Sequence, residues 1–248
     1  MEISFNIEQL LSILEYDSDN YHGIENFQAV PSASHLYRIV SRLNADNIIS
    51  NAQSFVHGAY FLKTSPNGDQ ASSYQPIIFI AEADSLIHAR ENIHRHLWLL
   101  GAAPFIIVLL PDQIRVYTGF DYERKNPDQG LIDSIDLEPN LFGELSDVVI
   151  EALRDYSTRA VEDGTIWDKL RESKHVNYEN RVDKRLLRNL KELQDILLAK
   201  LLPTVENDEV EALKFIHALI GKYVYLRYLY ESPYSNGRLG ARKWRSIE

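Results

Sequence analysis

The stretch from Pro76 to Phe120 constrains the fold more than any other part of this chain. It opens on an apolar run, Ile77-Ile78-Phe79-Ile80-Ala81. The run is short, β-branched and bounded by polar residues, which predicts a buried strand over 75–83. Residues 85–100 then place Leu86, Ile87, Ala89, Ile93, Leu97 and Leu100 at helical spacing, with Ser85 as N-cap and Gly101 just past the end. Phe105 to Leu110 is a second apolar strand, Pro111-Asp112 a turn, and Ile114 to Thr118 an alternating strand. Strand, helix, strand, hairpin, strand makes one α/β core unit onto which the rest of the chain must pack.

Upstream, Asn6 to Tyr16 and a segment from Ser32 or Ser34 to about Asp46 carry helical apolar spacing, separated by a polar, loop-like stretch from Asp17 to Pro31. Phe55 to Leu62 reads as a strand in which Gly58 marks a bulge or a close backbone approach. Thr64 to Tyr74 has loop composition, and Glu123 to Pro139 is a polar connection with one short strand, Leu131 to Leu137. From Leu141 onward the pattern is helical. One helix is predicted over 147–161, closed by Gly164. A stripe of Val182, Leu186, Leu190, Leu193, Leu197 and Leu201 marks the next, ended by Pro203. The last helix starts at Asn207 or Asp208 and is apolar around most of its circumference, which predicts burial. The expected architecture is α/β: an N-terminal α/β domain with a small mixed sheet over 1–140, an all-helical domain over 141–232, and a basic tail over 233–248. The stripe leucines should be buried against the last helix.

Composition removes several classes. The chain has no cysteine, which excludes disulfides and thiolate metal sites. No apolar run approaches the ~18 residues of a spanning helix, and the N-terminus, MEISFNIEQ, lacks the basic-then-apolar form of a signal peptide. A cytoplasmic protein with no membrane contact is the expectation. The net charge of -10 argues against a free-standing DNA-binding module, which is usually basic. Any nucleic-acid contact falls to a local basic patch or to a partner.

The run ENIHRHLWLLGAAPFIIVLLPDQIRVYTGF, Glu91 to Phe120, resembles the N-terminal part of type IIG-like restriction-modification N6-adenine DNA methyltransferases. That family shows a helix with His near a Trp, a Pro-started apolar strand, and a strand ending in an aromatic. GTIWDKL at 164–170, RVDKRLLRNLKELQDIL at 181–197 and ALIGKYVYLRYLYE at 218–231 are similar to later segments of the family, in the same order. The methyltransferase motifs themselves are missing. Asn126-Pro127-Asp128 lacks the second proline and the aromatic of the catalytic segment, and Gly237 and Gly240 lack the strand-loop-helix context of a methyl-donor loop. The resemblance therefore implies a non-catalytic, nuclease-like N-terminal region that positions DNA and docks a methyltransferase domain in the same or a partner chain. It implies no cofactor here, with S-adenosylmethionine and Mg²⁺ belonging to a full-length parent. A Mg²⁺-dependent endonuclease and an interaction scaffold without a nucleic-acid role are the alternatives.

The family's nuclease signature, Pro-Asp followed by Glu-x-Lys, maps onto Asp112 and Glu123 as metal ligands and Lys125 as catalytic lysine. The favoured reading of the same residues is ordinary: Pro-Asp in a tight turn, and Glu123 and Lys125 in a polar loop. Glu82 and Asp84 end the first core strand, where parallel sheets host sites, although Asp84-Ser85 is also a good helix start. His88, His94 and His96 lack metal spacing and read as surface or capping residues; Trp98 and Trp167 read as core or interface. Tyr223, Tyr225, Tyr228, Tyr230 and Tyr234 suit packing against a neighbouring helix or domain better than base stacking. Candidate DNA contacts are Arg181, Lys184, Arg185 and Arg188 on one helix face, and Arg238, Arg242, Lys243 and Arg245 in the tail. The favoured reading of the helix cluster is a solvated face, partly paired with Glu179, Asp183, Glu192 and Asp195.

Overall fold

The computed structural model describes residues 5–17, 19–30, 33–49, 54–64, 73–138, 144–204 and 208–231. Strands β1 (Tyr21–Gly23), β2 (Ser54–Thr64), β3 (Ser73–Ala83), β4 (Phe105–Leu109), β5 (Gln113–Thr118) and β6 (Leu131–Asp136) form one mixed sheet in sequential order. β3 and β4 are parallel and every other neighbouring pair is antiparallel. The parallel pair needs a crossover, which the helix predicted over 85–100 supplies. Ser85 caps it by accepting from the His88 amide, and Gly101 ends it in the left-handed region. It is not uniform: α3 (Leu86–His88) passes into a π-helical segment, Ala89–His94, and then α4 (Arg95–Leu100). The π winding places Ala89, Arg90, Ile93 and His94 all on the buried side.

β3 explains the layers. Its Phe79 and Ala81 face one core and its Ile78 and Ile80 the other, all fully buried. Phe79, Ile78 and Ile80 each contribute roughly 1.5–3 kcal/mol, so both faces have to be covered. The first face takes Phe27, α2 (Ser34–Ile49) through Leu36 and Val40, and the crossover helix through Ile93 and Leu97. The second takes α1 (Ile7–Ile13) and three short helices, α5 (Asp147–Arg154), α6 (Thr158–Glu162) and α7 (Ile166–Glu172). Gly58 sits at a register shift in β2, and a Cβ there would lie 2.4 Å from the His22 carbonyl oxygen. Bulge and close approach coincide at that residue, as its position in the strand predicts.

Three differences from the expected architecture have physical causes. β1 lies inside the stretch read as loop; at three residues it is too short to show alternation. The single helix expected over 147–161 breaks at Tyr156, which is fully buried with its hydroxyl donating to Asp133 Oδ2 at 3.2 Å. Ser157 then caps a new helix, and Thr158 ties it to the end of α1 by donating to the Glu15 carbonyl at 2.7 Å. Finally, the chain divides into compact units at Met1–Arg185 and Leu186–Glu248, so the boundary expected near 140 falls inside the first. Helices α5 to α7 belong with the sheet because its second face would otherwise be bare.

The second unit contains most of α8 (Val182–Leu201) and all of α9 (Glu209–Glu231). Its burial departs most from expectation. Among the described side chains of α9 only Ala212 and Ile216 are buried, and Leu186 and Leu193 of the α8 stripe are 57% and 40% exposed. Two helices cannot enclose one that is apolar around most of its circumference. Tyr223 and Tyr225 are exposed as well; the side chains of Tyr228 and Tyr230, and Tyr234 entirely, lie outside the described residues.

Candidate functional site

The C-terminal end of the parallel pair is the place in this sheet where a site would form. Phe55 of β2 pairs with Glu82 of β3, and the register shift at Val56/Gly58 brings His57 in from the neighbouring position. His57 Nε2 lies 3.2 Å from Glu82 Oε2. Two residues on, Asp84 bonds through Oδ1 to the ring of His88, one helical turn ahead. That hydrogen bond, helped by one from Ser85, holds the Asp84 carboxyl below its ordinary value. Asp84 thus has its own histidine, whereas His57 Nε2 is buried beside Glu82 without a hydrogen-bond partner. In the Glu-x-Lys signature the third position is a lysine; in Glu82-Ala83-Asp84 it is an acid. Among the described residues no three His, Asp or Glu side chains are placed to hold a metal ion. The rim is polar but internally bonded. Asn44 clasps the Val56 backbone in both directions, at 2.8 and 2.9 Å, and Asn92 donates to Ser54 Oγ at 3.2 Å. Sequence reasoning missed Asn44, a polar residue within the apolar spacing of α2.

Asp112 and Glu123 are not brought together. Asp112 lies in the exposed β4–β5 turn and Glu123 follows the far end of β5, with about 20 Å of strand between those ends. A single Mg²⁺ takes ligands at about 2.1 Å, so this pair cannot share one ion. Lys125 is exposed in the same loop as Glu123. The loop's role is different: the Glu123 carbonyl accepts from Arg90 at 2.7 Å, and the Pro127 carbonyl accepts from the same guanidinium.

The densest polar cluster forms around His94, which is fully buried rather than at the surface. Its Nε2 lies 3.0 Å from the Thr118 carbonyl oxygen and 2.9 Å from that of Asp121, so Nε2 carries the proton. The ring stacks on Tyr117 and meets the edge of Tyr122. Burial, reinforced by the nearby Arg90 charge and only partly opposed by the two carbonyls, pushes the His94 pKa down to about 3. Beside it, buried Asp121 accepts from the Asn177 amide at 2.6 Å, from Asn180 Nδ2 at 2.8 Å and from Gln129. The cluster fastens the loop after β5 and the segment before α8 to the crossover helix.

Two of the candidate DNA contacts belong to this fastening. Arg185 lies over the Trp98 ring at 5.3 Å and donates to the Tyr122 carbonyl at 3.2 Å. Arg181 lies over Phe120 at 5.0 Å and pairs with Asp183. Lys184 pairs with Glu179. The expected pairing with Glu179 and Asp183 is therefore present, and of the four cations only Arg188 lacks a partner among the described residues. Arg238, Arg242, Lys243 and Arg245 lie outside the described residues. No helix among the described residues is long and apolar enough to cross a membrane. Comparison of the chain with protein-family models, curated proteins and solved structures found no match.

Proposed function

We propose that this chain is the non-catalytic N-terminal region of a restriction-modification DNA methyltransferase, serving to position DNA and to dock the catalytic domain. The observation that carries the reading is the state of the carboxylates. Asp84 is held by His88, Glu82 faces His57 Nε2 at 3.2 Å without a hydrogen bond, and Asp112 and Glu123 lie beyond opposite ends of β5. Among the described residues no three His, Asp or Glu side chains are placed together for metal-dependent phosphodiester chemistry. The nuclease-like part then acts as a scaffold whose fastening cluster sets the start of α8. Docking of the catalytic domain falls to the outer side of α9, where Val210 and Tyr225 are exposed opposite the buried Ala212 and Ile216.

Phosphate contact would rest on Arg188 and the neighbouring Lys191, with the tail arginines. The test is a fluorescence-anisotropy titration of a short duplex at several salt concentrations, comparing the wild type with Arg188→Glu/Lys191→Glu. Binding should fall steeply with salt, and the double substitution should flatten the slope of log K against log salt by about one unit for each phosphate no longer neutralised. Absence of binding at low salt refutes the DNA role. It would leave the second reading, an interaction scaffold, which the net charge of -10 and the ion-paired Arg181 and Lys184 favour.

A further inference from the structure

We propose that α9 pairs with α9 of a second copy of this chain, antiparallel, through the side formed by Glu211, Phe215, Leu219, Lys222 and Leu226. Eleven large apolar side chains of α8 and α9 are 40–67% exposed among the described residues. Together they amount to on the order of 1,000 Å², above the few hundred Å² that monomers leave bare. Part of this surface is organised as a groove of about 480 Å³ between the two helices, lined by Leu197, Leu201, Phe215, Ile216 and Leu219. One side-chain hydrogen bond joins the helices, between His217 Nε2 and Gln194 Oε1 at 3.1 Å. Both helices present leucines along the groove, Leu197 and Leu201 from α8 and Leu219 from α9.

The charge pattern selects the occupant. Glu211, Phe215, Lys222 and Leu226 follow one another at spacings of four, seven and four and form one stripe along α9. An antiparallel second α9, centred between residues 216 and 217, sets Glu211 of each copy opposite Lys222 of the other. It also sets Phe215 opposite Ala218, large against small. Both residues of the charge pair are exposed, and neither has an ion-pair partner among the described residues. A parallel pairing would set like charges together and leaves this complementarity unused. The two-fold arrangement satisfies both pairs at once, as an isologous interface does. It involves a different side of α9 from the Val210–Tyr225 side and does not depend on the methyltransferase reading.

Sedimentation equilibrium of the full chain in the absence of DNA tests the pairing. The wild type should associate, at micromolar concentrations, to twice the 28.6 kDa of one chain. Leu219→Glu should sediment as monomer. Because Leu219 is exposed in the single chain, the circular dichroism of this variant should match the wild type. Glu211→Lys or Lys222→Glu alone makes both symmetric pairs repulsive and should weaken association about tenfold. The double variant Glu211→Lys/Lys222→Glu restores opposite charges and should return it to near the wild-type constant. A wild type that stays monomeric at roughly 100 μM, undiminished association of Leu219→Glu, or a double variant no better than the singles would each overturn the proposal.

Discussion

Lowering the pH from 7 to 5 should destabilise the first unit by about 2 kcal/mol through His94 alone. The ring is fully buried, and burial holds its pKa at about 3, against about 6.5 for an exposed histidine. The folded state therefore binds no proton at this site between those values, while the unfolded chain does. Stability rises with pH wherever the unfolded state binds more protons. The His94 contribution is thus fully present above pH 6.5 and is lost progressively as the pH falls towards 3. At pH 5 the unfolded chain gains about RT ln(1 + 10^1.5), roughly 2 kcal/mol, and at pH 7 almost nothing. The perturbation that isolates this is His94→Gln, which keeps a donor for the Thr118 and Asp121 carbonyls but does not titrate. Urea unfolding at pH 7, 6 and 5, followed by tryptophan fluorescence, gives the difference between the two proteins. The wild type should lose about 2 kcal/mol more than the variant over this interval. Equal pH dependence in both would mean that the ring is solvated or protonated in the folded state, and would refute the account of the cluster.

Other perturbations separate core from surface. Leu153→Ala, at a fully buried position in the second core, should cost about 2–5 kcal/mol, whereas Leu190→Ala, on the half-exposed α8 stripe, should cost about 1 kcal/mol; urea unfolding compares them. Gly130→Ala places a Cβ 2.3 Å from the Asp121 carbonyl oxygen and 2.7 Å from His94 Cε1, at a φ of +81°. It should cost about 1–3 kcal/mol or more and lower the thermal midpoint. Glu123→Ala and Lys125→Ala should leave stability within about 0.5 kcal/mol, because both side chains are exposed. Neither they nor the wild type should nick plasmid DNA in Mg²⁺ or Mn²⁺, and wild-type cleavage abolished by Glu123→Ala would restore the endonuclease reading.

Local pattern determined the α/β unit itself. The apolar run before Ala83, the helical spacing after Ser85 with Gly101 at its end, and the strands from Phe105 and around Ile114 are where periodicity and caps put them, the last beginning one residue earlier at Gln113. Gly58 announced its bulge because only a residue without a side chain admits the β1 backbone so closely. These are short-range choices, decided by side-chain volume, φ and one hydrogen bond. What only the tertiary structure decided depends on residues far apart in the chain. His94 reads as a surface or capping residue in sequence, but it is fully buried beside Asp121, and the partners of the two lie as much as 59 residues away. Arg181 and Arg185 share a charged helix face, yet the rings of Phe120 and Trp98 claim them. The helices over 147–172 read as the start of a helical domain, and the bare second face of the sheet takes them instead. The apolar pattern of α9 states that the helix must be covered; it does not state by what. Periodicity records which side of a segment avoids water, and only the assembled chain shows whether anything within reach supplies the other half of the contact.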